Sequence, residues 1–380
     1  MATKPVNPIY LDYNASTPIA AEVLQELLPY LQQHYGNPSS THWASASLKD
    51  TIEVARGRVA AAIGAISNEV IFTSGGTEAN NHALKGVYFA LRQRGNHIIT
   101  TAIEHPAILN PCAFLETLGA EVTYVKVDAE GRVSPDEIAR AIRKETILIS
   151  VMHANSEVGT IQPIAEISAI AKTHGVLFHT DAAQSFGKIP IDVDQLGVDL
   201  LSIAGHKLYA PKGIGALYVR EGTPISSFIQ GAGHEAGQRA GTENVPYIAG
   251  LGKASELAAE YAKSHTIRDL KDRLKEGLRS SFGNSIRFNG DINQGLPNTL
   301  NVSFLGMNGT EILKKFPEIA ASTGSACHSG NTTLSPVLSA MGITEYEGLG
   351  AIRFSLGRYT TAEEIDEVIA LFNQRLQITN

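Results

Sequence analysis

From about residue 70 the chain alternates short runs rich in β-branched and apolar residues with longer amphipathic segments. The runs are Glu69 to Thr73, His97 to Thr101, Glu121 to Val127, Ile147 to Met152, Val176 to His179, Leu200 to Ile203 and Gly215 to Val219. Strand-length runs separated by helix-length segments predict βαβ units, hence an α/β fold with a mainly parallel sheet covered by helices. After residue 257 the pattern changes: a polar, amphipathic stretch from Ala258 to Ser281 leads into a strand-rich region and a closing helix, Thr361 to Leu376. We therefore expect a large domain over residues 16–257 and a smaller α+β domain from residues 1–15 and 258–380. A chain of 380 residues is long enough for two cores. The glycine- and proline-rich stretches Pro211 to Gly215 and Gly231 to Gly241 read as ordered site loops, not linkers.

In a sheet of this kind ligands gather at the carboxyl ends of the strands. Thr77, His105, Asn155, Asp181 and Lys207 each follow one of the predicted strands. Lys207, preceded by His206 in Ser202-Ile203-Ala204-Gly205-His206-Lys207, is an ordinary solvated lysine when taken alone. Asp181, in Asp181-Ala182-Ala183-Gln184, alters that reading. Pyridoxal phosphate (PLP) chemistry needs an amine to hold the cofactor's aldehyde and a carboxylate to keep its pyridine nitrogen protonated. The segment Ser74-Gly75-Gly76-Thr77-Glu78-Ala79 joins a strand to a helix, where free backbone N–H groups and the positive end of the helix dipole favour a phosphate. A plain glycine turn before a capped helix is the competing reading. His105 offers an aromatic face and a proton acceptor near neutrality, and Arg353 a planar fork for a carboxylate.

Charge and cysteine content narrow the choice. The 38 acidic and 31 basic side chains leave a formal charge of −7 without long blocks of either sign, so no direct nucleic-acid binding is expected. Met1-Ala2-Thr3-Lys4-Pro5 lacks an apolar signal core and no run is long enough for a bilayer, which reads as a cytoplasmic chain with no membrane partner. Neither of the two cysteines has zinc-ligand spacing, so no metal is expected. Cys112 sits among apolar residues and reads as packing. Cys327, in Ser325-Ala326-Cys327-His328-Ser329-Gly330, fits either a loop thiol or a reactive one. His34, His82, His97, His174 and His265 read as surface or packing residues, and His42, His153, His179 and His234 are left open.

Taken together, these segments resemble the cysteine desulfurases of the class V aminotransferase group (PLP fold type I) nearly end to end. Tyr10-Leu11-Asp12-Tyr13-Asn14-Ala15-Ser16-Thr17-Pro18 looks like the family's opening segment, Tyr35-Gly36-Asn37-Pro38-Ser39 like its next, and Arg239-Ala240-Gly241-Thr242-Glu243-Asn244 like its dimer-contact loop. The resemblance implies that Lys207 holds PLP, Asp181 pairs with the pyridinium, Gln184 meets the ring hydroxyl and His105 stacks on the ring and takes part in catalysis. It implies phosphate contacts from Gly76, Thr77 and His206, with Thr242 reaching the neighbouring subunit of a homodimer. Asn155 and Arg353 would grip the carboxylate of L-cysteine, and Cys327 would receive its sulfur as a persulfide for an acceptor protein, a scaffold or a carrier, in iron–sulfur cluster assembly or another sulfur pathway. The stretch from Cys327 to Arg353 resembles the longer loop of the NifS/IscS-type branch. Lys207 would move the α-proton, and His105 and His328 are the candidate bases for the Cys327 thiol.

Three positions depart from the pattern. Ala204 stands where many relatives have a serine, removing a hydroxyl contact to phosphate of about 1.5–3 kcal/mol if charge-assisted. Ser156 replaces an asparagine usual after Asn155, and Cys327-His328-Ser329-Gly330 is closer to selenocysteine lyases and DNA-phosphorothioation desulfurases. The rival expectations are therefore a selenocysteine lyase, which needs no enzyme thiol, and a PLP aminotransferase, which needs a keto-acid acceptor. A non-enzymatic phosphate-ligand binder leaves Lys207 and Asp181 without a role.

Overall fold

A seven-stranded sheet forms the centre of the molecule, in a computed structural model that describes residues 8–323, 325–328 and 331–376, the side chains of 325–328 and 331–332 excepted. The chain enters through β1 (Ile9–Tyr10), α1 (Ala21–Gln32) and α2 (Leu48–Ile63). It then builds the sheet from β2 (Val70–Thr73), β3 (His97–Thr101), β4 (Glu121–Val125), β5 (Thr146–Ser150), β6 (Leu177–Asp181), β7 (Leu200–Ala204) and β8 (Gly215–Val219). The connecting helices are α3 (Gly76–Leu91), α4 (Pro106–Glu116), α5 (Pro135–Ala141), α6 (Ile164–His174) and α7 (Val193–Leu196), and α8 (Val245–Tyr261) follows the sheet to pack on α1 and α2. The strand order is β2-β8-β7-β6-β5-β3-β4. Pairing is parallel from β7 through β6, β5 and β3 to β4, while β8 runs antiparallel to both β7 and β2.

The period-two pattern in the sequence becomes two cores on opposite faces of this sheet. Ile99, Ile149, Leu201 and Ala216 enter one cluster, while Ile98, Leu148, Leu200 and Leu217 enter the other. Strands β3, β5 and β7 are buried along their whole length, as expected when helices cover both faces. The β7–β8 pairing also brings Gly215 against the turn between β2 and α3. A Cβ on Gly215 would sit 2.4 Å from the Ile203 carbonyl oxygen and 2.7 Å from Gly75 Cα, so only glycine lets these backbones close on each other.

The remaining elements are α9 (Thr266–Phe282), β9 (Ile286–Asn289), β10 (Thr299–Phe304), α10 (Gly309–Leu313), β11 (Ile319–Ala320), β12 (Ser322–Thr323), β13 (Ser325–His328), β14 (Asn331–Leu334), α11 (Pro336–Ala340), α12 (Glu345–Gly348), β15 (Ala351–Ser355) and α13 (Ala362–Arg375). A four-stranded sheet, β12-β15-β10-β9, carries a separate core with α9 and α13, and β1 joins it by pairing with β11. Among the described residues, strands β13 and β14 pair only with each other. The amphipathic stretch expected from Ala258 to Ser281 divides here: α8 stops at Tyr261 and α9 starts at Thr266. Ser264 accounts for the restart, since its hydroxyl accepts the Thr266 N–H, a local bond that competes with a continuous helix.

Candidate active site

The carboxyl ends of β2, β3, β5, β6 and β7 surround a cavity of about 580 Å³ that also receives the Asn14–Ser16 segment and Arg353 from β15. At the end of β6, Asp181 is 8% exposed, and its position is fixed twice. Asn80 Nδ2, from α3, donates to Oδ2 at 2.7 Å, and the Ala183 N–H donates to Oδ1 at 2.9 Å. A buried carboxylate held this firmly at a cavity wall is built for a cation or a protonated ring nitrogen. Past the end of β7, Lys207 occupies a short 3₁₀ turn, and its Nζ donates to the carbonyl oxygens of Asn14 and Ala15 at 2.5 and 2.9 Å. Burial, then the Arg353 guanidinium, lower its pKa to about 8, against the opposing pull of Asp181 and Asp12. An amine so tuned gives up its proton near neutrality, as a nucleophile toward an aldehyde or a base requires.

His105 caps the N-terminus of α4, its Nδ1 accepting the Ala107 N–H at 3.0 Å. That bond assigns the proton of the neutral ring to Nε2. Desolvation and then Lys207 lower its pKa, with Asp181 pulling the other way. Beside it, Glu104 is buried, and its Oε1 accepts from the Thr101 hydroxyl at 2.8 Å and the Met152 N–H at 2.9 Å. Its Oε2 has no partner among the described residues, and burial raises the pKa to about 8, so the carboxyl stays protonated at neutral pH.

The opposite end of the cavity has the features of an anion cradle. Helix α3 opens at Gly75 without a side-chain cap, and Gly76, Thr77 and Ala204 line the wall. A Cβ on Gly76 would lie 3.1 Å from the Ala204 Cβ, so the glycine keeps the backbone N–H groups accessible. His206 reaches the Ser16 hydroxyl at 3.3 Å through Nδ1, and burial, followed by Lys207 and Lys212, lowers its pKa to about 4. It therefore meets an anion as a neutral hydrogen-bond donor. This donor set, with Lys207 and Asp181 lining the same cavity, fits PLP: the α3 turn would hold its phosphate, Lys207 its aldehyde carbon and Asp181 its ring nitrogen.

Arg353 is anchored by an ion pair to Asp12 at 2.7 Å, by the Ser322 hydroxyl at 3.1 Å and by the Ser156 carbonyl oxygen at 3.1 Å. Its buried Nε has no partner among the described residues.

Sequence reading placed Asn155 on the substrate carboxylate, and the structure places it elsewhere. Its Oδ1 accepts the Glu157 and Val158 N–H groups, its Nδ2 donates to the Ile103 carbonyl and the Met152 sulfur, and it is not among the residues that line the cavity. The neighbouring Ser156, one of the three departures, lines the cavity instead. Thr242 is exposed and outside the cavity lining. Cys327 falls in β13 with its backbone opposite Thr332 of β14, and its side chain, like His328's, lies outside the described residues. Gln184 does line the cavity. Asn14, Asn80, Glu104 and Lys188 were not anticipated. Asn14 left a trace in the family-like opening segment, and Glu104 in its position just before His105.

The fold and this site define a PLP-dependent transferase of fold type I. Residues 9–368 match the family model for aminotransferase class-V, and the chain belongs to that family. It is 49% identical over 373 residues to cysteine desulfurase IscS of Dictyoglomus turgidum, covering 97% of this chain and 94% of the relative. Among solved structures, a NifS-like protein superposes with a TM-score of 0.91 at 37% identity, covering 97% of this chain and 99% of its own. SspA in complex with cysteine superposes with a TM-score of 0.83 at 40% identity over 93% of this chain and all of SspA.

Proposed function

We propose that this protein is a PLP-dependent cysteine desulfurase that converts L-cysteine to L-alanine and holds the sulfur as a persulfide on Cys327 for an acceptor protein. The observation that carries this reading is the convergence of Lys207, Asp181 and Arg353 on one cavity. An amino acid reacting on PLP needs an amine, a partner for the ring nitrogen and a fork for its α-carboxylate. The relatives named as IscS, and the cysteine bound to SspA, support the choice of substrate.

When bound, PLP supplies an electron sink for the bonds around the substrate's α-carbon. The rest falls to side chains. Asp181 holds the proton of the ring nitrogen, and His105 presents its ring beside it. Lys207 Nζ, drawn down to about 8, takes the α-proton and returns one to the product. Arg353, kept in place by Asp12, receives the substrate carboxylate. The Cys327 thiolate takes the substrate sulfur, forming an S–S bond as the C–S bond breaks, and the C–S electron pair stays on the substrate's β-carbon, which takes up a proton to become the methyl group of alanine. Free cysteine is only a few per cent thiolate at neutral pH, so this step needs a base or a lowered pKa.

Three further assignments belong to this reading. The active unit is a homodimer: Leu24, Leu28 and Leu31 expose an apolar stripe on α1, Trp43 is 83% exposed, and Thr242, which is exposed, would serve a neighbour's phosphate site. The acceptor is a scaffold or carrier protein, and the compartment is the cytoplasm; among the described residues no helix is long and apolar enough to cross a membrane. Residues 16–257 form the large domain, and residues 1–15 with 258–380 the small one, a division supported by their separate cores.

Cys327→Ser tests the central claim. The variant should retain PLP absorbance but form no alanine from L-cysteine, while alanine from L-selenocysteine largely persists, because selenium leaves without an attacking thiolate. Wild-type desulfuration by the variant would remove the mechanism, and a wild-type enzyme active only on selenocysteine would replace it with a lyase.

A further inference from the structure

Lys188 is half-buried, and its amine has no carboxylate partner among the described residues. Its Nζ donates to Gln184 Oε1 at 2.7 Å and to Asn14 Oδ1 at 2.8 Å. Burial, and then the charges of Lys207 and Arg353, push its pKa well below the ordinary lysine value. Holding an amine there is costly, and no surface contact or ion pair explains it. Its two acceptors define what it does. A side-chain amide has two chemically opposite ends, an oxygen that accepts and an NH₂ that donates, and at equal shape it can sit either way round. With Lys188 donating to Oε1, the NH₂ of Gln184 is forced to the other side. There one N–H is taken by the Asn14 carbonyl oxygen at 3.0 Å. The other has no partner among the described residues, on a side chain that lines the cavity.

We propose that Lys188 is a positioning residue that locks the Gln184 amide with its N–H toward the cofactor, so that the cavity offers a donor, never an acceptor, to the ring's phenolic oxygen. This rests on the PLP reading above. The same lock reaches across the two parts of the molecule, because Asn14 Oδ1 also accepts from Asn298 Nδ2 at 3.0 Å and Asn14 Nδ2 donates to the Thr299 hydroxyl at 2.8 Å. Gln184 is thus oriented by a chain of bonds running from Thr299 on β10 through Asn14 and Lys188. A donated hydrogen bond stabilises the ring oxygen as an anion and weakens its hold on the proton it shares with the neighbouring imine nitrogen. The pH at which the cofactor's visible band changes should therefore be held low by Gln184, and by Lys188 only through Gln184.

The experiment is a double-mutant cycle read by visible absorbance and equilibrium dialysis of PLP, with thermal unfolding recorded alongside. Lys188→Met, which keeps the stem without the amine, should raise the band's pH midpoint and weaken PLP retention about fivefold, the value of one hydrogen bond. Gln184→Leu should do the same, and the double variant should shift the midpoint no further than either alone. Additive midpoint shifts, or an unchanged midpoint in Lys188→Met, would show that Lys188 only supports the fold. If Lys188→Met does not fold, Gln184→Glu replaces it: the carboxylate pairs with Lys188 and keeps the packing but offers no donor, so the midpoint must rise, and an unmoved midpoint overturns the proposal. Wild-type protein that takes up no PLP would instead remove the underlying reading, before any variant is compared.

Discussion

The two sides of the cavity are built on different terms. The wall from the central sheet holds Asp181, His105 and Glu104 at the ends of strands buried over all or nearly all of their length, with partners fixed by backbone N–H groups and by Asn80. The facing wall rests on shorter elements. Arg353 leans on Asp12 and on Ser322 of the two-residue strand β12, and the adjacent pair of β13 and β14 shares no backbone ladder with another sheet among the described residues. Ser335, just beyond that hairpin, is tied to Glu157 at 2.6 Å. The contrast suits the proposed chemistry, in which the ring and the base would stay in register while the thiol that takes sulfur would meet the substrate and then an acceptor.

Removing the anchor of the first wall should cost most. Lys207→Ala is expected to abolish covalent PLP attachment and to lower alanine formation from L-cysteine about a thousandfold or more, while the melting profile stays close to wild type. A variant that still turns over at the wild-type rate would deny the sheet-side wall its central role. On the second wall Arg353→Lys keeps the charge but loses the fork, so KM for L-cysteine should rise about 10- to 100-fold with PLP absorbance unchanged. An equal loss in kcat with no change in KM would mean that Arg353 acts on the reaction and not on the carboxylate.

A smaller effect probes the rigidity of the first wall. The unfolded carboxyl of Glu104 ionises near its ordinary 4.5, but in the folded protein burial holds the proton up to about 8. Stability from this group is therefore complete below pH 4.5, declines as the pH rises toward 8, and changes little beyond. Glu104→Gln removes the ionisation while its carbonyl still accepts from Thr101 and Met152. The variant should gain on the order of 1–3 kcal/mol over wild type near pH 8.5, melting roughly 2 °C or more higher, with the gap closing toward pH 5. A gap independent of pH would show that Glu104 does not stay neutral.

Much of the first wall was legible in the sequence, because each candidate stands where an apolar run ends and strand ends converge in a parallel sheet. Lys207, Asp181, His105 and Thr77 reach the cavity on that rule alone. Asn155 did not, since alternation along a strand no longer fixes direction in the turn after β5, and one position decides whether a side chain faces the cavity or the backbone behind it. Asn80 and Lys188 were invisible for another reason. Each matters through a partner about a hundred residues away or one helical turn along a loop, Asp181 for Asn80 and Gln184 for Lys188, and no local pattern marks such a pairing. The antiparallel course of β8 was equally hidden, because its apolar run reads the same in either direction.

Cys112 has an analytical consequence. Its side chain is fully buried in the core between the sheet and α4, and burial, followed by Glu104 and Glu116, pushes the thiol up to about 12. The chain has two cysteines. In the native protein an alkylating probe or a persulfide-selective tag therefore reports on position 327 alone, and sulfur loading of the proposed carrier can be followed by intact mass without a cysteine-free background.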